Sequence, residues 1–395
     1  MRDPSTAILT THVGSLVRPP ELRRYIGAIE SGIEVDPRAF DACLERTVAE
    51  VVQKQAEVGI DIVSDGEFGK FRSWSWYIID RLAGFEQRPV LNPDGTPSAG
   101  SLRGVRTREA ALFPEFYAEY FHTQGFASPG AIVCVGPIRY QGQEAIGRDI
   151  QHLKAALRSV TVVAGFVPVV APGSAMPVYV DEYYGNEERF LYALAEAMHE
   201  EYRAIIDAGL LLQVDDAFLP FMWDMAFAEK SLAQYRDWAE LRIEVLNHAL
   251  RGLPQERIRY HICWGSFNTP HVVDIPLRDI ADLVLKVNAG AYCIEMANPR
   301  HEHEWRLWEK VKLPAGRKLV PGVISHATNV VEHPELVAER LVRLARLVGR
   351  ENVIGGTDCG FAQGPHVQRV HPTIMWAKLA ALAEGARIAS RELWN

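Results

Sequence analysis

Short apolar, β-rich runs alternate with longer segments of helical periodicity along nearly the whole chain, and chemistry-bearing side chains gather where those runs end. Strand–helix alternation implies parallel strands, because parallel neighbours need a crossover connection. No Gly-rich phosphate fingerprint opens any helical segment, which weakens a doubly wound sheet. Together these observations predict an α/β fold, a (β/α)8 TIM barrel with an insertion after the second strand. A barrel of ~250 residues plus insertions accommodates all 395 residues as a single domain, 1–395.

Candidate strands cover residues 8–14, 60–64, 131–138, 166–171, 210–215, 258–263, 291–295, 319–324 and 353–357. Nine are one too many. The run 131–138 follows a long irregular stretch and leads into Tyr140 and Gly142, so it is placed outside the barrel. Helical periodicity is clearest in 40–58, 187–208, 337–348 and 373–389, where apolar residues recur at every third or fourth position. The stretch 70–129 mixes Trp74, Trp76, Gly/Pro turns and Phe/Tyr-rich helix fragments, and reads as the insertion, a lid or a dimer contact.

Hydrophobic residues make up 48% and charged residues 23%, too apolar for a disordered chain. Forty-two basic against 50 acidic residues leave a net charge of −8, which disfavours a nucleic-acid backbone as partner. No apolar run reaches the ~18 residues of a membrane span, and the N-terminus lacks a basic-then-apolar signal pattern. Five cysteines are too few and odd in number for a disulfide framework, so a cytoplasmic chain with reduced thiols is expected. Oligomeric state is left open, a homo-oligomer among the options.

The strand ends supply, in order, His12 and Ser15; Asp65 and Glu67; Gln213, Asp215 and Asp216; His261 and Cys263; Cys293 and Glu295; Ser325 and His326; Asp358 and Cys359. In a (β/α)8 barrel that edge carries the active site. The most specific local signal is His261-Ile262-Cys263, since residues i and i+2 of a strand share a face and bring an imidazole and a thiolate together. Such N and S donors suit Zn2+. Taken alone, a His-x-Cys pair is more often a packed cysteine beside a hydrogen-bonded histidine; Glu295 and Cys359, arriving from other strands, complete a ligand set. Cys293, two residues before Glu295, competes for that role or is a small buried hydrophobe. A zinc with two thiolates is a weak source of hydroxide but well suited to hold an incoming thiol as its thiolate, the nucleophilic form. The reaction inferred from these residues is alkyl transfer to a substrate sulfur.

The ordered set Thr10-Thr11-His12-Val13-Gly14-Ser15, Ser64-Asp65-Gly66-Glu67-Phe68, Gln213-Val214-Asp215-Asp216, His261-Ile262-Cys263, Ile294-Glu295, Gly322-Val323-Ile324-Ser325-His326 and Asp358-Cys359-Gly360-Phe361 resembles the cobalamin-independent methionine synthase family. The match is to its catalytic C-terminal barrel and, within the family, to single-barrel members that include epoxyalkane:coenzyme M transferases. The resemblance implies a zinc-dependent methyltransferase of methionine biosynthesis, with His261, Cys263, Glu295 and Cys359 as zinc ligands. It also implies Ser15, Glu67 and Asp215 as contacts to the amino acid substrate and His326 as a catalytic proton carrier. Homocysteine is then the first candidate acceptor and methyltetrahydrofolate the first candidate donor.

Departures from the family pattern bear on the donor. Full-length methionine synthases carry a second, N-terminal barrel, and 395 residues have room for one barrel. Asp216 stands where the family usually has Glu, followed by Ala217-Phe218-Leu219 in place of Pro-Ala-Leu. Trp74, Trp76, Phe218, Phe221, Trp223 and Trp264 crowd the expected mouth, as a stacking surface for a pterin or an apolar donor, or as a packed lid. The alternative reading is alkyl transfer to a coenzyme M-like thiol, whose sulfonate would use Arg18, Arg72 or Arg139. A uroporphyrinogen decarboxylase-type barrel would leave His261, Cys263 and Cys359 unexplained, and a non-catalytic zinc- or corrinoid-binding module would close the metal site. His301, His303, His333, His366 and His371 sit in polar loops and are expected to be solvated; His271 has no assignment.

Overall fold

The computed structural model describes residues 6–89, 107–123, 130–176 and 179–395. Eleven strands are present among them: β1 (Leu9–Thr10), β2 (Ile62–Ser64), β3 (Leu82–Arg88), β4 (Ala131–Tyr140), β5 (Ala164–Val170), β6 (Val180–Asp181), β7 (Leu211–Asp215), β8 (Ile258–Ile262), β9 (Ala291–Ile294), β10 (Lys318–Ile324) and β11 (Ile354–Thr357). Eight run parallel in the order β1-β11-β10-β9-β8-β7-β5-β2, and a parallel bridge from Thr11 to Ile62 joins the two ends into a barrel. The remaining three form a separate sheet in which β4 pairs antiparallel with β3 and parallel with β6. The segment that sequence placed outside the barrel is therefore a strand, but of this second sheet.

Helices form where apolar spacing and end signals agree. Pro37–Glu57 starts with Pro at its first turn and an Asp36 cap on the Arg38 amide, and it buries Phe40, Leu44, Val48, Val51, Val52 and Gln55 against the barrel. Glu187–Asp207 is capped by Asn186, and Leu232–Ala249 opens with a reciprocal Ser231/Gln234 capping box. Pro334–Val348 and Pro372–Trp394 cover the 337–348 and 373–389 periodicities.

Alternation along the strands splits two environments. Leu212 and Val214 of β7 and Tyr260 and Ile262 of β8 join the main apolar layer under the helices. Inside the barrel, small clusters of Leu9, Ile62 and Phe166, and of Ala291, Cys293 and Val320, surround the buried Arg259. Its guanidinium donates to Thr11 Oγ1 and the His12 carbonyl, both at 2.9 Å, and lies 4.1 Å from the Phe166 ring centre. These contacts form a polar floor beneath the strand ends.

Between β3 and β4 lie two helices, Thr107–Leu112 and Pro114–Thr123; residues 90–106 and 124–129 of the expected insertion fall outside the described residues. The two helices pack on the loops that follow β7 and β8. Asp224 Oδ1 accepts from the Arg108 amide at 2.9 Å, Glu109 Oε1 from Val272 N at 2.7 Å, and the Tyr120 hydroxyl from Asn268 N at 3.0 Å. Among the described residues no helix is long and apolar enough to cross a membrane. All five cysteines are buried and unpaired by disulfides.

Candidate functional site

The ends of β7, β8, β9 and β11 converge. His261 and Cys263, on one face of β8 and its continuation, meet Cys359 from the loop after β11; one donor atom from each lies within 4.8 Å of the others. The two sulfurs are 3.6 Å apart. His261 Nδ1 bonds Asp215 Oδ1 at 2.9 Å, which orients the ring, and Gln213 Nε2 donates to the same oxygen at 2.9 Å. Burial lowers the His261 pKa, but the Asp215 carboxylate and Cys359 outweigh it and hold the ring above its ordinary value. The Cys263 thiol is raised far above the usual range by its hydrogen bond to Cys359, by burial and by the nearby Cys359 and Glu295 charges.

Glu295 is not in that trio. Its oxygens accept from the Trp264 amide at 3.3 Å and from Asn298 Nδ2 at 3.1 Å, and it groups with His326 and Asp358, again within 4.8 Å of one another. Asp358 Oδ1 accepts from the Met296 and Ala297 amides at 2.9 and 2.7 Å, while Oδ2 has no hydrogen-bond partner among the described residues. Burial and the Glu295 charge push its carboxyl far up. Both His326 ring nitrogens lack hydrogen-bond partners among the described residues, and burial, with Arg369, His271 and His261 nearby, keeps the imidazole neutral. The close approach of these loops demands two glycines: a Cβ on Gly322 would collide with Asp358, and one on Gly360 with the Ser15 hydroxyl.

The expected substrate contacts sit on the adjoining rim. Glu67 has φ +63° and is buried; burial and the Asp215 charge raise its carboxyl to about 7 against the pull of Lys70, whose Nζ is 3.3 Å away. Ser15 is buried beside Gly360, and its carbonyl accepts from Phe361 N at 2.8 Å. Asp216, on the opposite face from Asp215, is used structurally by Ser174 and Tyr260 at 2.5 and 2.7 Å. Cys293 faces Arg259 inside the barrel, 3.8 Å from its Nη2, and stands apart from the sulfur pair.

Among the aromatics, Trp74 stacks on Phe218 (5.5 Å, 25°), and Phe218, Phe221 and Phe267 continue the wall. Trp264 and Trp223 are engaged elsewhere, with His301 and Arg108 respectively. Of the expected sulfonate-binding cations, Arg18 donates to the Glu67 and Lys70 carbonyls, Arg72 pairs with Asp80 on the surface, and Arg139 is exposed on β4. Arg369, which sequence reasoning passed over, lies in the Cys359 loop. Its Nε donates to Gln363 Oε1 at 2.8 Å and its guanidinium rests 5.6 Å from the Phe267 ring centre. His301, expected in solvent, is instead buried, because its loop folds back under Trp264 and both ring nitrogens find carboxylates. A groove of about 410 Å³ lined by Trp305, Val342, Arg343 and Leu347 belongs to the outer helical layer and carries none of this chemistry.

The donor set fits a soft divalent cation. Two thiols and an oriented imidazole are buried together, next to a carboxylate and to an unpartnered carboxyl oxygen, and an apolar enclosure of that many potential anions is costly without a countercharge.

Comparison with known proteins bears on family and fold. Residues 161–381 match the family model described as the catalytic domain of cobalamin-independent synthase. A methionine synthase of Sulfolobus acidocaldarius is 22% identical over 100% of this chain and 95% of its own. A 2-hydroxypropyl-CoM lyase of Xanthobacter autotrophicus is 23% identical over 100% and 98%. A B12-independent methionine synthase from Shewanella sp. W3-18-1, solved with selenomethionine, superposes with a TM-score of 0.71 at 21% identity, covering 98% of this chain and 99% of that one, a likeness of fold. Since the family model spans more than half of its length, this chain belongs to the cobalamin-independent synthase catalytic-domain family.

Proposed function

We propose that this protein is a zinc-dependent transferase that moves a methyl group onto a substrate thiol. Homocysteine is the first acceptor, and a methyltetrahydrofolate-like molecule is the donor. The observation that carries the proposal is the buried convergence of His261, Cys263 and Cys359 at the strand ends. Glu295, held one loop away by the Trp264 amide and Asn298, is the fourth, exchangeable ligand. Bound zinc would supply a Lewis acid that holds the substrate sulfhydryl as thiolate.

The protein's own groups do the rest. Asp215 orients His261 and, with Glu67, offers two carboxylates to the substrate ammonium, with Ser15 beside them. His326, neutral and with both ring nitrogens unpartnered among the described residues, takes the thiol proton and returns it to the nitrogen that loses the methyl group. One S–H and one N–CH3 bond are lost, and one S–CH3 and one N–H bond are gained. Trp74, Phe218, Phe221 and Phe267 give the flat donor a wall, and the helices within 107–123 cover the strand ends as a lid. Reduced cysteines fit a cytoplasmic setting.

A second reading, alkyl transfer to a coenzyme M-like thiol, is favoured by Arg369, for which no carboxylate partner exists among the described residues. Metal analysis and X-ray absorption with and without thiol test the main proposal. Gain of a sulfur ligand on adding homocysteine supports it, and an unchanged closed shell assigns the metal a structural role. Arg369→Gln separates the acceptors: a KM rise confined to the sulfonate thiol supports the second reading.

A further inference from the structure

Two histidines without a role in the transfer form, with two carboxylates, a buried ionic chain between the loops that deliver Cys263 and Glu295. Asp274 Oδ2 accepts from His271 Nδ1 at 2.7 Å and from His301 Nε2 at 3.0 Å. His301 Nδ1 meets Glu304 Oε2 at 2.9 Å, and Glu304 Oε1 accepts from Leu277 N at 2.6 Å, tying the β9 loop to the β8 loop. His271 Nε2 faces the Phe267 carbonyl at 2.9 Å, and His271 itself has φ +56°, a strained backbone that its contacts must hold in place. Every ring nitrogen of both histidines faces an acceptor oxygen, and against the lowering effect of burial Asp274 and Glu304 together hold the His301 ring above its ordinary pKa. Such a chain stabilises a fold little more than apolar packing would; what it imposes is one geometry.

That geometry reaches the ligands by two routes. His301 stacks on Trp264, the residue after Cys263, with ring centres 4.0 Å apart and planes 20° apart. The same indole is held by its Nε1–H to the Ile275 carbonyl at 2.7 Å, and the Trp264 amide donates to Glu295 Oε2. On the other side, the His301 amide donates to the Asn298 carbonyl at 2.9 Å, and Asn298 Nδ2 donates to Glu295 Oε1. Both oxygens of Glu295 are thus placed by residues that His301 holds. We infer that His301, supported by Asp274 and His271, is a positioning residue that sets where the Glu295 carboxylate stands relative to Cys263. The inference rests on the reading of Glu295 and Cys263 as metal ligands.

The test uses full-length protein, with zinc affinity from chelator competition and the visible spectrum of the Co(II)-substituted form as readouts. Asp274→Asn and His301→Gln should each weaken zinc binding about 10–100-fold, the usual effect of losing an outer-shell partner. Each should shift the Co(II) ligand-field bands while leaving the thiolate-to-cobalt intensity of two cysteines. A lowered melting temperature with zinc affinity and Co(II) spectrum unchanged would overturn the inference. If His301→Gln does not fold, the near-isosteric Asp274→Asn decides alone. Wild-type protein that binds no stoichiometric zinc would overturn the ligand reading itself, an outcome distinct from equal affinity in wild type and variant.

Discussion

Asp215 holds two posts at once, and Asp215→Asn separates them. Its Oδ1 accepts from His261 Nδ1 at 2.9 Å in a fully buried setting, so the carboxylate charge bears directly on the imidazole. A hydrogen bond to a charged group contributes about 1.5–3 kcal/mol and a neutral one about 0.5–1.5 kcal/mol. Asparagine can still accept through its carbonyl, which leaves a loss of about 1–1.5 kcal/mol, or roughly tenfold in zinc affinity. The assay is competition with a fluorescent chelator at fixed pH, with circular dichroism to confirm folding. Affinity within twofold of wild type would refute the idea that Asp215 orients a metal-bound His261. The same variant should weaken homocysteine more than 3-mercaptopropionate, which lacks the ammonium, and an equal loss for both thiols would remove Asp215 from the substrate contacts.

Cys263→Ser should release most of the zinc and abolish transfer while far-UV circular dichroism stays nearly intact; retained activity would take the metal out of the mechanism. Gly360→Ala places a methyl group against the Ser15 hydroxyl, so it should destabilise the fold by about 1–3 kcal/mol in urea unfolding and displace the Cys359 loop. His301 tests pH dependence. Burial lowers its pKa, but Asp274 and Glu304 raise it to about 10 from an unfolded value of 6.5. A folded pKa above the unfolded one adds stability that is complete below pH 6.5 and declines as pH climbs toward 10. Wild type should therefore lose more stability than His301→Gln across that window, and parallel curves would contradict the charged-ring assignment.

The parts legible in sequence are those governed by local rules. Apolar, β-rich runs alternating with segments of helical period located every barrel strand, and the extra strand Ala131–Tyr140 stood apart because the irregular sequence before it breaks the strand–helix rhythm. The i, i+2 rule put His261 beside Cys263. Composition offered no sign of His301, since a polar loop residue looks the same whether it meets water or two carboxylates. Arg369 was hidden for the same reason, and the expected alternatives Arg18, Arg72 and Arg139 are committed to backbone or to the surface.

What the linear chain determined by itself is the alternation that makes a parallel barrel and the residue types, imidazole, thiol and carboxylate, that its strand ends present. What only the closed barrel decided is distance. Cys263 and Cys359 are 96 positions apart yet their sulfurs lie 3.6 Å from each other, while Glu295, which accepts from the Trp264 amide of the neighbouring loop and from Asn298 of its own, groups with His326 and Asp358. Strand patterning depends on neighbours along the chain, whereas loop convergence depends on barrel closure and on which buried polar groups satisfy one another, a condition that no short stretch of sequence contains.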